Sequence, residues 1–416
     1  MSSFWHPFAQ MWKVDANPFV VERGDGVYLY DGAGKQYLDG TGALWFCQIG
    51  YGRQEMADAI AAQARELHAF HTFGDYSNPR AEELASRIAS IAPLPRAKVF
   101  FTSGGSDSVD TAAKLTRRYF NATGQSDRTV FVYRDWAYHG MHAFGTTFSG
   151  MDMNFEGHGP MIQDVVKVPW DSVEDLAEVI ERTGPDRIAG MFAEPIIGAG
   201  GVRFPPEGYL KGAQELIHEA GGFFISDEVI TGFGRTGAWF ASTRFGLEPD
   251  LITFAKGVTS GYQPLGGVIA AANVAEPFWS SAESPMWRHG YTYSGHAVAA
   301  AAGMANLDIM QREGLVERSL ALESDLVEAL APVGAHALVS HIRHGAGFLA
   351  GVQIDEERVA ADPDLPFAAA DACRDSGLLS RAMGGGALQI SPPLVMTKEH
   401  LDELAERMVA GLDAVG

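Results

Sequence analysis

The run Phe223-Phe224-Ile225-Ser226-Asp227-Glu228-Val229 opens on apolar residues and closes on two carboxylates. Further along, Leu251-Ile252-Thr253-Phe254-Ala255-Lys256-Gly257 repeats the design with a lysine at its end. Short runs of this kind, rich in β-branched and aromatic residues, read as strands buried on both faces, the habit of parallel sheets. Outward from them, Lys98–Phe101, Thr129–Tyr133, Asp164–Val168, Ile188–Phe192 and Gly267–Ala271 read as further strands. Between these lie amphipathic stretches with helical spacing: Glu55–Leu67, Arg80–Ile91, Ser108–Asn121, Val173–Thr183, Leu210–Ala220 and His296–Arg312. The alternation predicts an α/β fold with a mostly parallel central sheet. Ligands of such sheets sit at the carboxyl ends of the strands, where both quoted runs place their charged residues.

The two ends of the chain have another texture. The first fifty residues carry short strand-like runs such as Val27-Tyr28-Leu29-Tyr30 between glycine turns. Beyond residue 313 a helix over Val316–Ala331, strands over Ala337–Ile342 and Gly347–Ile354, and a closing helix over Lys398–Val415 are expected. The expected division is a large domain over 52–295 and a smaller α+β domain built from 1–51 and 296–416.

Composition narrows the function. The 416 residues are 46% apolar and 20% charged, enough for a sizeable core. With 52 acidic against 31 basic residues, the net charge is −21, and no basic stripe offsets it, which argues against nucleic acid as a partner. Two cysteines exclude a disulfide framework and point to a reducing, cytoplasmic setting. The opening residues show no secretory pattern, and the alanine-rich stretch Ala297–Met310 is too short to span a membrane. Walker-A, G-x-S-x-G and H-E-x-x-H patterns are absent, and the scattered histidines lack metal-ligand spacing, so no metal site is expected.

Lysine is scarce, eight against twenty-three arginines, so one directly after a buried strand is poorly explained as a solubilising charge. Burial disfavours the ammonium form and leaves an amine able to form a Schiff base; the plain alternative is a lysine snorkelling from the sheet end. A third strand, Phe100-Phe101-Thr102, runs into Ser103-Gly104-Gly105-Ser106 and then a helix. A helix N-terminus with glycine beside it can cradle a phosphate, or Ser106 can simply cap the helix, with Asp110 in its first turn. A strand-end lysine, a strand-end carboxylate and a phosphate cradle on one sheet together suggest pyridoxal phosphate (PLP) chemistry.

Four stretches carry a resemblance: 227–237 (Asp-Glu-Val-Ile-Thr-Gly-Phe-Gly-Arg-Thr-Gly), Ala255-Lys256-Gly257, Tyr138-His139-Gly140, and 289–296 (His-Gly-Tyr-Thr-Tyr-Ser-Gly-His). Over nearly its whole length the chain resembles the class III aminotransferases of the fold-type-I PLP-dependent superfamily, in particular the ω-amine:pyruvate transaminases. The resemblance implies Lys256 as the Schiff-base and proton-shuttling residue and Asp227 as partner of the pyridine nitrogen. It sets Val229 and Tyr138 on the two ring faces, with His139 and Glu194 supporting the ring. Gly105 and Ser106 would hold the phosphate, and Thr292 would reach the phosphate of a neighbouring subunit, implying a homodimer with shared active sites.

On the substrate side, Trp45 resembles a tryptophan set over the substrate, Phe73 an aromatic wall contributed across the dimer, and Arg381 an arginine that binds the keto acid's carboxylate. Two departures bear on this. Ala199 stands where ornithine and GABA aminotransferases carry a glutamate that masks this arginine. The phosphate turn reads Thr-Ser-Gly-Gly-Ser-Asp rather than Thr-Asn-Ser-Gly-Ser-Glu. The expected activity is transfer of an amino group from an amine to a keto acid such as pyruvate. The rivals are a diaminopelargonate-type aminotransferase, suggested by Trp5-His6-Pro7-Phe8, an aminomutase or decarboxylase, and a non-catalytic ligand-binding homologue.

Overall fold

The structure, a computed structural model, describes residues 3–416. Strands β1 (Val21–Asp25), β2 (Tyr28–Asp31) and β3 (Gln36–Asp39) open the chain. Then come β4 (Lys98–Thr102), β5 (Val130–Arg134), β6 (Val165–Val168), β7 (Ile188–Ala193), β8 (Phe223–Asp227), β9 (Leu251–Phe254) and β10 (Gly266–Ala270). These seven form one sheet in the order β4-β10-β9-β8-β7-β5-β6. The β6-β5-β7-β8-β9 block is parallel, and β10 runs antiparallel to both β9 and β4. The predicted α/β class with a mostly parallel sheet is thus the observed one.

Side-chain alternation fixes which face each strand residue serves. Phe131, Phe223, Ile225 and Leu251 pack under the helix Gly105–Ala122, with Val109, Ala112 and Phe120. Val130, Val132 and Phe224 face the other way, against Leu176 and Ile217 of the helices Val173–Thr183 and Tyr209–Glu219. Each such fully buried Phe or Ile contributes about 1.5–3 kcal/mol relative to exposure. The period of two carries Asp227 onto the face of Phe223 and Ile225, the face that the helix Gly105–Ala122 covers. That helix begins at the carboxyl end of β4, so its N-terminus and Asp227 converge.

The chain ends interlock. β13 (Leu378–Leu379) pairs parallel with β3, giving the sheet β1-β2-β3-β13. β11 (Val339–Arg343), β12 (Ala350–Ile354) and β14 (Ala387–Ile390) form a separate antiparallel sheet. The helix expected over Val316–Ala331 ends at Ala329, and a short turn of helix, Ala331–Gly334, follows with Pro332 in its first turn, where a missing N–H costs nothing. Among the described residues no helix is long and apolar enough to cross a membrane. Cys47 and Cys373 are buried and unpaired.

Candidate functional site

The site begins with sheet register. Asp227 and Thr253 are neighbours across β8 and β9, and Thr253 Oγ1 donates to Asp227 Oδ1 at 2.9 Å. The same oxygen accepts the Val229 N–H at 3.2 Å, while Asp227 Oδ2 lies 2.6 Å from His139 Nδ1. His139 is wedged between Phe148 and Phe192 of the face below, and its Nε2 is buried without a partner among the described residues. Asp227 is therefore held from three sides at 4% exposure, its carboxylate fixed in direction.

Glu194 follows the end of β7. Its Oε1 accepts the Tyr138 N–H at 3.0 Å and its Oε2 the Gly198 N–H at 2.9 Å. Burial raises its pKa, with Asp227 adding repulsion and His139 opposing the rise. Tyr138 is half-buried; burial raises its phenol pKa, and the Arg381 charge works against that rise. The ring of Phe8 meets Tyr138 edge-on at 6.4 Å.

Lys256 stands after the end of β9, half-buried, with φ +46. A lysine in left-handed backbone is strained, and such strain concentrates at functional positions. Burial pulls its pKa down to about 8, against the attraction of Asp227 and Glu194 and with the help of Arg381. An amine of that kind is partly neutral near physiological pH and able to act as nucleophile or base.

The phosphate-side turn departs from the capping expectation. The helix starts at Gly105 with Gly104 as its cap, and Ser106 lies inside the first turn. Its Oγ accepts the Met141 N–H at 3.0 Å, tying the turn to the Tyr138-His139-Gly140 segment. Asp110 does not serve the helix start; it accepts the N–H groups of Phe144 and Gly145 at 3.0 and 3.2 Å. A Cβ on Gly105 would come 3.0 Å from Val229 Cγ1, a tight contact that glycine avoids where Val229 lies against this helix start. The first-turn N–H groups have no intrahelical acceptors and point outward from the helix end.

The substrate-side candidates fall in three places. Trp45 is 1% exposed and packs with Ile196, Val202, Ile230, Leu349 and Met383, while its neighbour Leu44 is 44% exposed. Arg381 is exposed, has no carboxylate partner among the described residues, and acts electrostatically on both Tyr138 and Lys256. Phe73 and Thr292 lie apart from these, both exposed, on two adjoining loops. Thr72 Oγ1 donates to Ser294 O at 2.9 Å across them.

Three participants escaped the sequence reading. Thr253 looked like an ordinary strand residue. Glu228, the second carboxylate of the opening run, faces away and is fully buried, accepting from Ser242 N at 2.9 Å, Ser242 Oγ at 2.6 Å and Ala241 N. Arg235 is fully buried, donating to Phe348 O, Pro392 O and Gln48 Oε1 at 3.0, 2.6 and 3.0 Å, and burial lowers its pKa to about 10. The period of two was the available signal for Glu228; Arg235 bonds segments remote in sequence and carried none.

Residues 10–412 match the model of the family described as aminotransferase class-III. The chain is 35% identical to a putrescine–pyruvate aminotransferase of Pseudomonas aeruginosa, covering 92% of this chain and 88% of that protein. It is 32% identical to an omega-aminotransferase of Caulobacter vibrioides over 98% of this chain and 96% of that one. Among solved structures, an (S)-enantioselective omega-transaminase from Thermomicrobium roseum superposes with a TM-score of 0.94 at 35% identity, covering 99% of this chain and 96% of that one. An amine transaminase from an uncultivated Pseudomonas species, in a PLP-bound form, gives 0.94 at 34% identity, over 100% and 99%. With the strand-end lysine, the held carboxylate and the helix start converging on one sheet edge, the chain belongs to the class III aminotransferases, PLP-dependent enzymes that transfer an amino group between an amine and a keto acid.

Proposed function

We propose that this chain binds PLP at the carboxyl edge of its large sheet and transfers an amino group from an amine donor to a keto acid, with pyruvate as acceptor. The observation that carries the reading is the pairing across β8 and β9, which sets the anchored carboxylate of Asp227 on one strand end and the depressed-pKa amine of Lys256 on the next.

The residues present fit the cofactor. Asp227 is an acceptor whose direction is already set, suited to a protonated pyridine nitrogen. The helix start at Gly105 and Ser106 offers N–H groups and a favourable dipole to a phosphate, and Val229 and Tyr138 border the space between. When bound, PLP supplies an electron sink for the charge left when the substrate carbon loses its proton.

The rest is work for the protein's own groups. Lys256 Nζ holds the cofactor, then takes the proton from the substrate carbon and returns it. Asp227, braced by His139, Thr253 and the Val229 N–H, holds its carboxylate opposite the pyridine nitrogen. Glu194 supports the ring through the Tyr138 and Gly198 backbone. Arg381 binds the keto acid's carboxylate with its planar fork. Trp45, with Leu44 beside it, and Phe73 shape the amine side.

The reading includes two organisational elements. Residues 52–295 form a cofactor domain and 1–51 with 296–416 a smaller one; the pairing of β13 with β3 supports the union of the chain ends. The enzyme is a homodimer with shared sites, Thr292 and Phe73 serving the partner. Its support is an exposed apolar surface of Phe70, Phe73, Tyr76 and Tyr293, at 52%, 53%, 54% and 63% exposure, on the two adjoining loops.

The test is a panel of amines and ω-amino acids offered to the PLP-loaded enzyme with pyruvate. Alanine formed in equal amount to the carbonyl product is the expected result. Absence of alanine with every donor contradicts the reading.

A further inference from the structure

A cavity of about 540 Å³ has a lining that includes Trp136, Trp170, Arg203, Phe204, Arg343 and Glu356. None of the residues assigned above to cofactor or substrate is part of that lining. The hairpin closed by the Ile197–Arg203 bridge stands between the two places. On one side Gly198 donates to Glu194; on the other, Gly200 O and Gly201 O accept from Arg203 Nε and Arg343 Nε at 2.9 and 2.8 Å.

The two arginines are held but not neutralised. The Arg203 guanidinium lies 4.1 Å over the Trp136 ring and 5.8 Å from that of Trp170. Beyond the Nε bond to Gly200, its terminal amino groups have no acceptor among the described residues. Arg343 Nη2 donates to Gln353 Oε1 at 2.8 Å, and its Nη1 lies 3.3 Å from His341 Nε2. Neither arginine forms a salt bridge among the described residues. The carboxylates in electrostatic reach are Asp171, which acts on Arg203, and Glu356, which acts on Arg343 from the rim and lies 3.8 Å from His341 Nδ1. Burial and the Arg203 charge push the Arg343 pKa down to about 10, so the pair repels. Half-buried cations without a partner are costly, and an anion between them removes that cost.

The walls are built against backbone strain. Trp136 has φ +64 and Val202 has φ +52, left-handed backbone that non-glycine residues rarely adopt. Such residues cost about 1–3 kcal/mol each and persist only where their surroundings hold them. A Cβ on Gly200 would lie 2.1 Å from Trp136 O, so glycine alone lets the hairpin close on that tryptophan.

We propose that this cavity is a second ligand site, separate from the transamination site, in which Arg203 and Arg343 bind an oxyanion, a carboxylate or phosphate group, between tryptophan walls. It does not depend on the choice of amine or keto acid.

The test is titration of the PLP-loaded enzyme, at constant ionic strength, with inorganic phosphate and separately with succinate, followed by calorimetry and tryptophan fluorescence. Arg381→Gln is the background, so that a carboxylate cannot report from the keto-acid position. Saturable binding of phosphate alone assigns a phosphoryl ligand, of succinate alone a carboxylate ligand, and of both an oxyanion site without that distinction. Arg203→Gln then weakens binding by at least about tenfold, the loss of a charge-assisted pair. Glu356→Gln, an exposed change that spares the fold, tightens it about threefold by removing the rim's negative charge. Failure of both anions to saturate overturns the proposal, as does saturation that Glu356→Gln leaves unchanged.

Discussion

The carboxyl edge of the large sheet and the wall built from residues 39–46 and 378–391 are made by opposite means. At the sheet edge, ladder register does the positioning: Asp227 meets Thr253 because β8 and β9 pair there, and Lys256 follows from the end of β9. In the wall, β13 pairs with β3 and β14 with β12, but the turn over residues 40–46 lies outside these ladders. Ala43 and Trp45 sit at φ +56 and +69, and side chains hold them. The fully buried Asp39 carboxylate accepts from Thr41 N and Oγ1, Ala43 N and Tyr51 OH, at 2.9, 2.9, 2.7 and 2.6 Å. Ser391 Oγ and Gln389 Nε2 donate to Thr41 O, binding this turn to the strand region after Arg381. A ladder tolerates little variation, whereas an irregular turn can be reshaped without touching the chemistry, so under the proposed function reaction type belongs to the first region and substrate choice to the second.

The largest effect expected from breaking that division is at the sheet edge. Asp227→Asn keeps size and removes charge, and kcat for alanine formation falls about 10³-fold, within the range for a positioned charged group. In the wall, Arg381→Leu acts on binding instead. KM for pyruvate rises about 10- to 100-fold, the worth of a charge-assisted bidentate contact, while KM for an apolar amine stays nearly unchanged. A rise in both KM values together would erase the distinction.

Lys256 gives the comparison a pH signature. Its folded pKa, about 8, lies below its unfolded value of 10.5. Between these the unfolded chain binds more protons, so stability of the cofactor-free protein rises with pH from about 8 toward 10.5. Over the same approach to 8 the amine becomes neutral, and the rate of cofactor loading climbs with it. Thermal unfolding and loading rates across pH 7–10 check both, and Lys256→Met removes both trends. The smallest effect belongs to the strained turn: Ala43→Gly relieves a left-handed alanine and stabilises by about 1 kcal/mol, read as a raised Tm.

Legibility in the sequence followed the same divide. The strands, their order of appearance and the charged residues at their ends were readable because apolar runs and turn residues are local signals. The helix start was readable to within three residues, but Gly104 rather than Ser106 is the cap, since Ser106 is drawn to the Met141 N–H from another segment. The roles of Asp39, Arg235 and Glu228 were not readable. Arg235 bonds Gln48, Phe348 and Pro392 from remote segments and Glu228 bonds Ala241 and Ser242, whereas Asp39 bonds its own turn and Tyr51; burial, which the fold alone sets, tells all three from surface charges. Trp45 stands out through the family resemblance, but which side of the turn it faces depends on bonds made by Asp39 and Ser391.

The central claim is that the amine at the end of β9 holds the cofactor. The direct measurement is borohydride reduction of the PLP-loaded enzyme followed by peptide mass spectrometry. The account predicts a single reduced pyridoxyl-phosphate adduct on Lys256 and its loss, with the absorbance near 400 nm, in Lys256→Ala. An unlabelled Lys256, or an adduct on another lysine at full activity, contradicts it.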